Sequence, residues 1–304
     1  MISYGGLFEY CSKIGCSYST NVDMKSYTSF HIGGAADVMV FPENAIMLSN
    51  VIRYITDNGL RYLVIGKGSN MLISDDGYRG VVINTSSLDS IGLFDETTIY
   101  CQSGISLAKL CRFALDNSLT GLEFAYGIPG TVGGAMVMNA GAYDGEMSMV
   151  VEKVQLMDKE GKSFSLSCEE MEFGYRDSIL KRKDYFVLET TFLLKAGNKE
   201  DIKAKMDDFL ERRRSKQPLE HPSAGSTFKR PEGYFAGKLI MDAGLSGKRI
   251  GGVCVSPKHC GFIVNDCGGT AKDISDLIKL VKKEVQDKYG VSLEPEVISI
   301  GSFD

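Results

Sequence analysis

Three short segments hold the residue types that could carry a reaction. The first is Phe173-Gly174-Tyr175-Arg176-Asp177-Ser178. The second runs from His221 to Pro231 as HPSAGSTFKRP, and the third is Leu293-Glu294-Pro295-Glu296-Val297. An arginine offers a fixed planar fork for a carboxylate, or for negative charge that develops during a reaction. A serine flanked by glycine and followed by Lys229 and Arg230 could donate a proton inside a basic pocket. Taken alone, each has an ordinary reading as well: Arg176 beside Asp177 as a surface ion pair, Ser226 as a turn serine, Glu296 as a solvated carboxylate. The serine does not sit in G-x-S-x-G, so a hydrolase elbow does not apply. His31, His221 and His259 are scattered, so neither a histidine metal cluster nor a Ser-His-Asp triad stands out; for His259, packing or loop bonding is the plainer role.

Two glycine-rich segments could hold phosphate. Gly66-Lys67-Gly68-Ser69-Asn70 follows an apolar strand pattern, and converging backbone N–H groups there could cradle an anion. Met71 breaks G-x-G-x-x-G, and no helix start follows, so the dinucleotide fingerprint fails in motif and context. The second segment is Gly127-Ile128-Pro129-Gly130-Thr131-Val132-Gly133-Gly134-Ala135, continued by Asn139-Ala140-Gly141-Ala142. Its small residues would suit tight packing between helices, which leaves Thr131 and Asn139 unexplained. Two such loops suggest one extended cofactor lying between two subdomains.

The elements that must position these loops follow from periodicity. Strands are expected at 37–41, 61–65, 80–84 and 98–102, near 150–157 and 185–194, and at 296–300. A helix is expected over 43–58, with Ile46, Leu48, Val51, Ile52 and Ile55 as its apolar face and Gly59 as its stop; with the flanking strands it makes a βαβ unit. Ser106 caps a helix bearing Leu107, Leu110, Cys111 and Ala114. Asn198 caps one that runs to about 215, where Arg212, Arg213 and Arg214 complement the negative end of the helix dipole. Thr270 caps the last, with Ile274, Leu277, Ile278, Val281 and Val285 inward and Gly290 as its stop. The fold class is α+β, with expected divisions at 1–85, 86–197 and 198–304.

The composition narrows the functional classes. The chain has 304 residues, a net charge of −5 and 34 glycines, against roughly 21 expected from an average usage of about 7%. With only 7 prolines, the glycine excess does not signal a disordered chain. The acidic balance argues against nucleic-acid or membrane-surface binding. No apolar run approaches the roughly 20 residues of a membrane span, and the N-terminus does not read as a secretory signal. Eight cysteines without C-x-x-C fit reduced thiols in a cytoplasm better than a zinc site or a disulfide framework.

Together the motifs carry a family resemblance. YTSFHIGGAAD, VIGKGSNMLISDDGYRG, GLEFAYGIPGTVGGAMVMNAGAY, GYRDS, ERRRSKQPLEHPSAGSTFKRPEGYFAGKLI, AGLSGKRIGG, SPKHCGFIVN and LEPEV occur in this order from about residue 27 to 301. In order and spacing the chain closely resembles the bacterial UDP-N-acetylenolpyruvoylglucosamine reductase family. The resemblance implies two N-terminal subdomains that hold FAD in the vanillyl-alcohol-oxidase manner and a C-terminal subdomain that binds a UDP-sugar. It places Gly66, Gly68, Ser69, Asn70, Met71, Gly127, Ile128, Pro129, Gly130, Thr131, Gly133, Gly134, Ala135, Asn139 and Gly141 on FAD contacts. It makes Arg176, Ser226 and Glu296 catalytic, and sets Tyr175, Arg213, Lys229 and Arg230 toward substrate. The short stretch from Ser226 to Ala236 leaves no room for an extra tyrosine loop, so the chain resembles the shorter class. The implied reaction is NADPH-dependent reduction of UDP-N-acetylglucosamine enolpyruvate to UDP-N-acetylmuramate for peptidoglycan. No metal is implied, and a cytoplasmic monomer is expected.

Three other readings compete: a sugar or hydroxy-acid oxidase on the same scaffold, a UDP-sugar binder without flavin, and a structural or nucleic-acid module. The GSTFK segment argues against the first, the intact glycine loops against the second and the charge against the third.

Overall fold

The computed structural model describes residues 3–303. Backbone contacts divide the chain into two units: Met1–Thr20, Val38–Lys67 and Gly80–Arg212 make the first, and Asn21–Asp37, Gly68–Arg79 and Arg213–Asp304 the second.

In the first unit, side-chain caps set where four of the described helices, all but the first, begin. Helix α1 covers Gly5–Ile14. Helix α2, Ala45–Asp57, starts at Asn44, whose Oδ1 accepts the Met47 N–H at 2.9 Å. It buries Leu48, Val51, Ile52 and Ile55. Ile46 does not share that face and is 76% exposed. At 100° per residue it lies about 200° from Leu48, so the helical period turns it to solvent. The strands that α2 joins, Ala35–Phe41 and Tyr62–Ile65, are not neighbours. Tyr78–Asn84 lies between them, and Tyr62–Ile65 runs parallel to it with Tyr62 opposite Val81. Ser17–Asp23 lies on the far side of Ala35–Phe41.

A second sheet has the strand order Ser163–Ser167, Val151–Met157, Phe186–Leu193, Thr98–Gln102, Ile91–Leu93, antiparallel throughout. Helix α3, Leu107–Asp116, is capped by Ser106 and packs Leu107, Leu110, Cys111 and Ala114 into the core beside this sheet. Helix α4, Val132–Met138, begins inside the second glycine segment, where the sequence suggested only a loop. A glycine inside a helix costs about 1 kcal/mol against alanine, so local propensity hides this helix. Packing overrides it: a Cβ on Gly133 would stand 3.0 Å from the Ser103 Cβ, and the Gly133 N–H donates to the Ser103 carbonyl at 2.8 Å. Helix α5, Lys199–Lys216, starts at Asn198, whose Oδ1 accepts the Asp201 N–H.

The second unit centres on a three-stranded antiparallel sheet of Arg249–Ile250, Val253–Val255 and Ile263–Asn265, with helices α6, Ala236–Asp242, and α7, Ala271–Tyr289. Phe30, Ile32, Leu72, Val253, Ile263, Ile274, Leu277 and Val281 share its core. The apolar pair after the first glycine loop forms the strand Met71–Ile73, parallel to Ile298–Ile300. Thr270 and Asp273 close a capping box at the start of α7, and Gly290 ends the helix at φ 69°. Asp75 adds a second clamp: its two carboxylate oxygens accept the Ala271 and Lys272 N–H groups at 2.8 and 3.0 Å. The glycine loop's own continuation therefore caps α7.

Six of the eight cysteines are buried. Desolvation pushes the Cys101 and Cys111 thiols well up, so they act as small core apolar groups. Among the described residues, no helix is long and apolar enough to cross a membrane.

Replacing Asp75 with alanine leaves two helical N–H groups without their carboxylate. We expect a loss of about 1–2 kcal/mol, measured by urea unfolding. Asp75→Asn, which keeps an acceptor oxygen, should lose less.

Candidate active site

In the first unit, Arg176 sits on a tight turn. Gly174 and Asp177 exchange both backbone hydrogen bonds, at 3.0 and 3.2 Å. Arg176 takes a left-handed φ of 54°, which costs a non-glycine residue about 1–2 kcal/mol. The turn is held from several sides. The Arg176 Nη2 donates to the Gly141 carbonyl at 3.0 Å, and its guanidinium lies 5.2 Å from the Tyr175 ring centre. Lys181 Nζ donates to the Arg176 carbonyl at 2.6 Å. Arg182 takes Asp177 at 2.5 Å and Glu172 at 2.8 Å.

The same unit holds Gly66 and the Gly127–Gly141 residues named above. A Cβ on Gly66 would stand 2.3 Å from Thr131 Oγ1, so only glycine allows this approach. Thr131 in turn caps α4 through the Gly134 N–H. Gly127 and Gly130 adopt φ of 90° and 146°. Pro129 and Gly134 are exposed, and Ile128 is half-buried. Asn139 is different: it is fully buried, ends α4 in the left-handed conformation, and points its amide into the protein.

In the second unit, two of the reactive segments lie side by side. Phe228 bridges Pro295 in antiparallel fashion, the Glu296 N–H donates to the Thr227 carbonyl at 2.8 Å, and the Lys229 N–H donates to the Glu294 carbonyl at 2.9 Å. Ser226 and Glu296 are thereby held on adjoining segments. Neither sequence spacing nor motif singled out Thr227, yet it joins three segments. Its N–H donates to the Gly261 carbonyl, and its Oγ1 accepts the Ile263 N–H at 3.1 Å. No alternation in G-S-T-F singles it out, because Thr227 and Phe228 are both buried while Gly225 and Ser226 are half-buried.

Asn70 Nδ2 donates to the Glu296 carbonyl at 3.1 Å and the Ile298 N–H donates to the Asn70 carbonyl, so the loop of Gly68, Ser69, Asn70 and Met71 is tied to the segment that carries Glu296. Lys229 Nζ contacts Glu294 at 2.5 Å. Arg230 stacks 4.0 Å from the Phe235 ring centre, and the buried Arg213 donates to Gln217 Oε1. His259 takes the loop-bonding role: its Nδ1 accepts the Gly261 N–H, and burial lowers its pKa.

The residues fit a bound polar group beside each glycine loop. Ser103 Oγ, next to Gly133, is buried without a hydrogen-bond partner among the described residues. Ser29 Oγ is buried in the same way, and the Ser29 N–H donates to the Gly68 carbonyl. A buried hydroxyl left so is expected to meet a partner from outside the chain.

Comparison with known proteins assigns the framework. Residues 35–167 match an FAD binding domain, and residues 217–300 match the C-terminal domain of UDP-N-acetylenolpyruvoylglucosamine reductase. Proteins named UDP-N-acetylenolpyruvoylglucosamine reductase from Clostridium novyi and Caldanaerobacter subterraneus are 49% and 50% identical over 281 residues. The alignments cover 92% of this chain and 91% and 93% of theirs. The chain belongs to the UDP-N-acetylenolpyruvoylglucosamine reductase family. A crystal structure of the reductase from Thermus caldophilus superposes with a TM-score of 0.80 at 33% identity, covering 94% of this chain and 99% of that one. The family's cofactor is FAD, and the chain is an FAD-containing oxidoreductase.

Thr227→Val keeps shape but removes the acceptor for the buried Ile263 N–H. We expect a loss of about 1–3 kcal/mol in urea unfolding, with Thr227→Ser close to wild type.

Proposed function

We propose that this reductase uses NADPH to reduce the enolpyruvyl group of UDP-N-acetylglucosamine enolpyruvate, giving UDP-N-acetylmuramate for peptidoglycan. The observation that carries the reading is identity near one half over nine-tenths of the chain with enzymes of that name. FAD, when bound, supplies the capacity to take a hydride from NADPH and pass it to the substrate. We assign its binding to Gly66, the Gly68–Met71 loop and the Gly127–Ala135 stretch, with Ser29 and Ser103 available as partners.

An enolpyruvyl ether carries a C=C conjugated to a carboxylate. Addition of hydride at the terminal CH₂ breaks the π bond and moves the electron pair onto the carboxylate as an enolate. Arg176 meets that charge with a planar fork whose direction the Gly141 carbonyl and the Tyr175 ring help to fix. Glu296 hydrogen-bonds the carboxyl oxygen on which the charge grows. Ser226 then delivers a proton to the α-carbon, which closes the second C–H bond. Lys229 Nζ is committed to Glu294, so we assign the proton delivery to Ser226 and not to Lys229. Tyr175, Arg213, Lys229 and Arg230 are assigned to the sugar nucleotide: an aromatic face and three cations suit a diphosphate with a uracil ring.

Anaerobic addition of NADPH should bleach the bound flavin, and UDP-N-acetylglucosamine enolpyruvate should then restore its colour; a folded protein that cannot hold FAD would end the reading. Ser226→Ala should leave bleaching nearly intact and slow recolouring by about 10²–10⁴-fold, the range of a lost acid catalyst. Ser226→Cys should recover part of that rate. Unchanged recolouring in Ser226→Ala would remove Ser226 as proton donor.

A further inference from the structure

The C-terminal end of α4 and the Arg176 turn exchange a set of hydrogen bonds that the reaction itself does not require. Asn139 Nδ2 donates to the Gly174 carbonyl at 3.1 Å, the first residue of the turn. Ser178 Oγ, just past the turn, donates to the Val137 carbonyl at 2.9 Å. Arg176 itself donates to the Gly141 carbonyl. The other end of the Asn139 amide is also engaged, because its Oδ1 accepts the Ser148 N–H at 3.0 Å. One contact needs a donor and the other an acceptor, so the amide has one orientation only. Asn139 and Ser178 are both fully buried.

We infer that Asn139, with Ser178, is a positioning residue for Arg176, and that the end of α4 sets the turn whose left-handed backbone aims the guanidinium. The inference rests on the catalytic reading of Arg176. It differs from the FAD contact that the family resemblance suggests for Asn139. The buried amide reaches Gly174 and Ser148, both protein groups. A left-handed arginine persists only where its surroundings over-determine it, and these tethers are the surroundings on one side. Without them the turn relaxes, and the fork leaves the place where enolate charge develops. A small misplacement of a charge-stabilising group is enough to slow the chemical step strongly.

The experiment separates the two half-reactions. Asn139→Gly tolerates the backbone of φ 40° and ψ 58° and removes only the side chain. In the holoenzyme, flavin bleaching by NADPH and FAD retention should stay within about twofold of wild type, while single-turnover recolouring by the enolpyruvyl substrate falls at least tenfold. The deciding measurement is the same change made in Arg176→Lys, a slow background with a measurable rate. If Asn139 acts through Arg176, Asn139→Gly should change that slow rate by no more than about twofold. Equal fold losses in both backgrounds, or loss of FAD with recolouring preserved, would overturn the inference. Should Asn139→Gly fail to fold, Ser178→Ala removes the second tether and is held to the same non-additivity. A wild-type enzyme that bleaches but never recolours would instead refute the proposed reaction, so the two failures are distinct.

Discussion

Thr227 has its N–H, its carbonyl and its hydroxyl all committed inside the protein, and the second unit is arranged around that commitment. A buried backbone group without a partner costs as much as a lost hydrogen bond, so segments that meet at Thr227 cannot shift independently. The segments 226–229, 261–263 and 294–298 are fixed to one another through this residue. Asn70 extends the arrangement to the first glycine loop. Ser226, the proposed proton donor, and Glu296, distant in sequence, are thus brought together by backbone hydrogen bonds rather than by their own side chains.

The first unit meets a comparable demand differently. Arg176 is strained at its backbone, and its turn is stabilised by tethers rather than by a sheet. The pairing of Arg182 with both Asp177 and Glu172 is the electrostatic counterpart. It commits two acids that flank the turn to a cation other than Arg176.

Much of this fold was legible in the chain. The caps at Ser106, Asn198 and Thr270 and the stops at Gly59 and Gly290 lie where residue type alone places them, because capping is local chemistry. Helix α4 was illegible, because its glycines oppose a helix and only the Ser103 contact explains it. Ile46 was assigned to the wrong face of α2 by counting apolar residues rather than following their angle. The site was legible in a different way. Arg176, Ser226 and Glu296 stood out through the order of motifs in a family, not through their own surroundings. What those surroundings do was invisible in one dimension: a register such as Phe228 opposite Pro295, or an arginine ten residues from one carboxylate and five from another taking both, is decided by tertiary packing. Asp177 shows the limit: it pairs with Arg182, five residues on, which its adjacency to Arg176 in the sequence does not foretell.

The second unit is assembled from three separated stretches of chain, and that has a consequence for biosynthesis. Its Met71–Ile73 strand waits for Ile298–Ile300, and Asn70 for a residue 226 positions downstream. Closing so long a loop is entropically costly and slow, and nothing local can substitute for the missing edge. While the chain emerges from the ribosome, the first glycine loop is made early and completed late. Between those moments its apolar neighbours are open to misassembly. The nascent enzyme therefore depends on timing as well as on sequence, and a C-terminal deletion that spares every proposed catalytic residue would still leave the strand Met71–Ile73 without its partner.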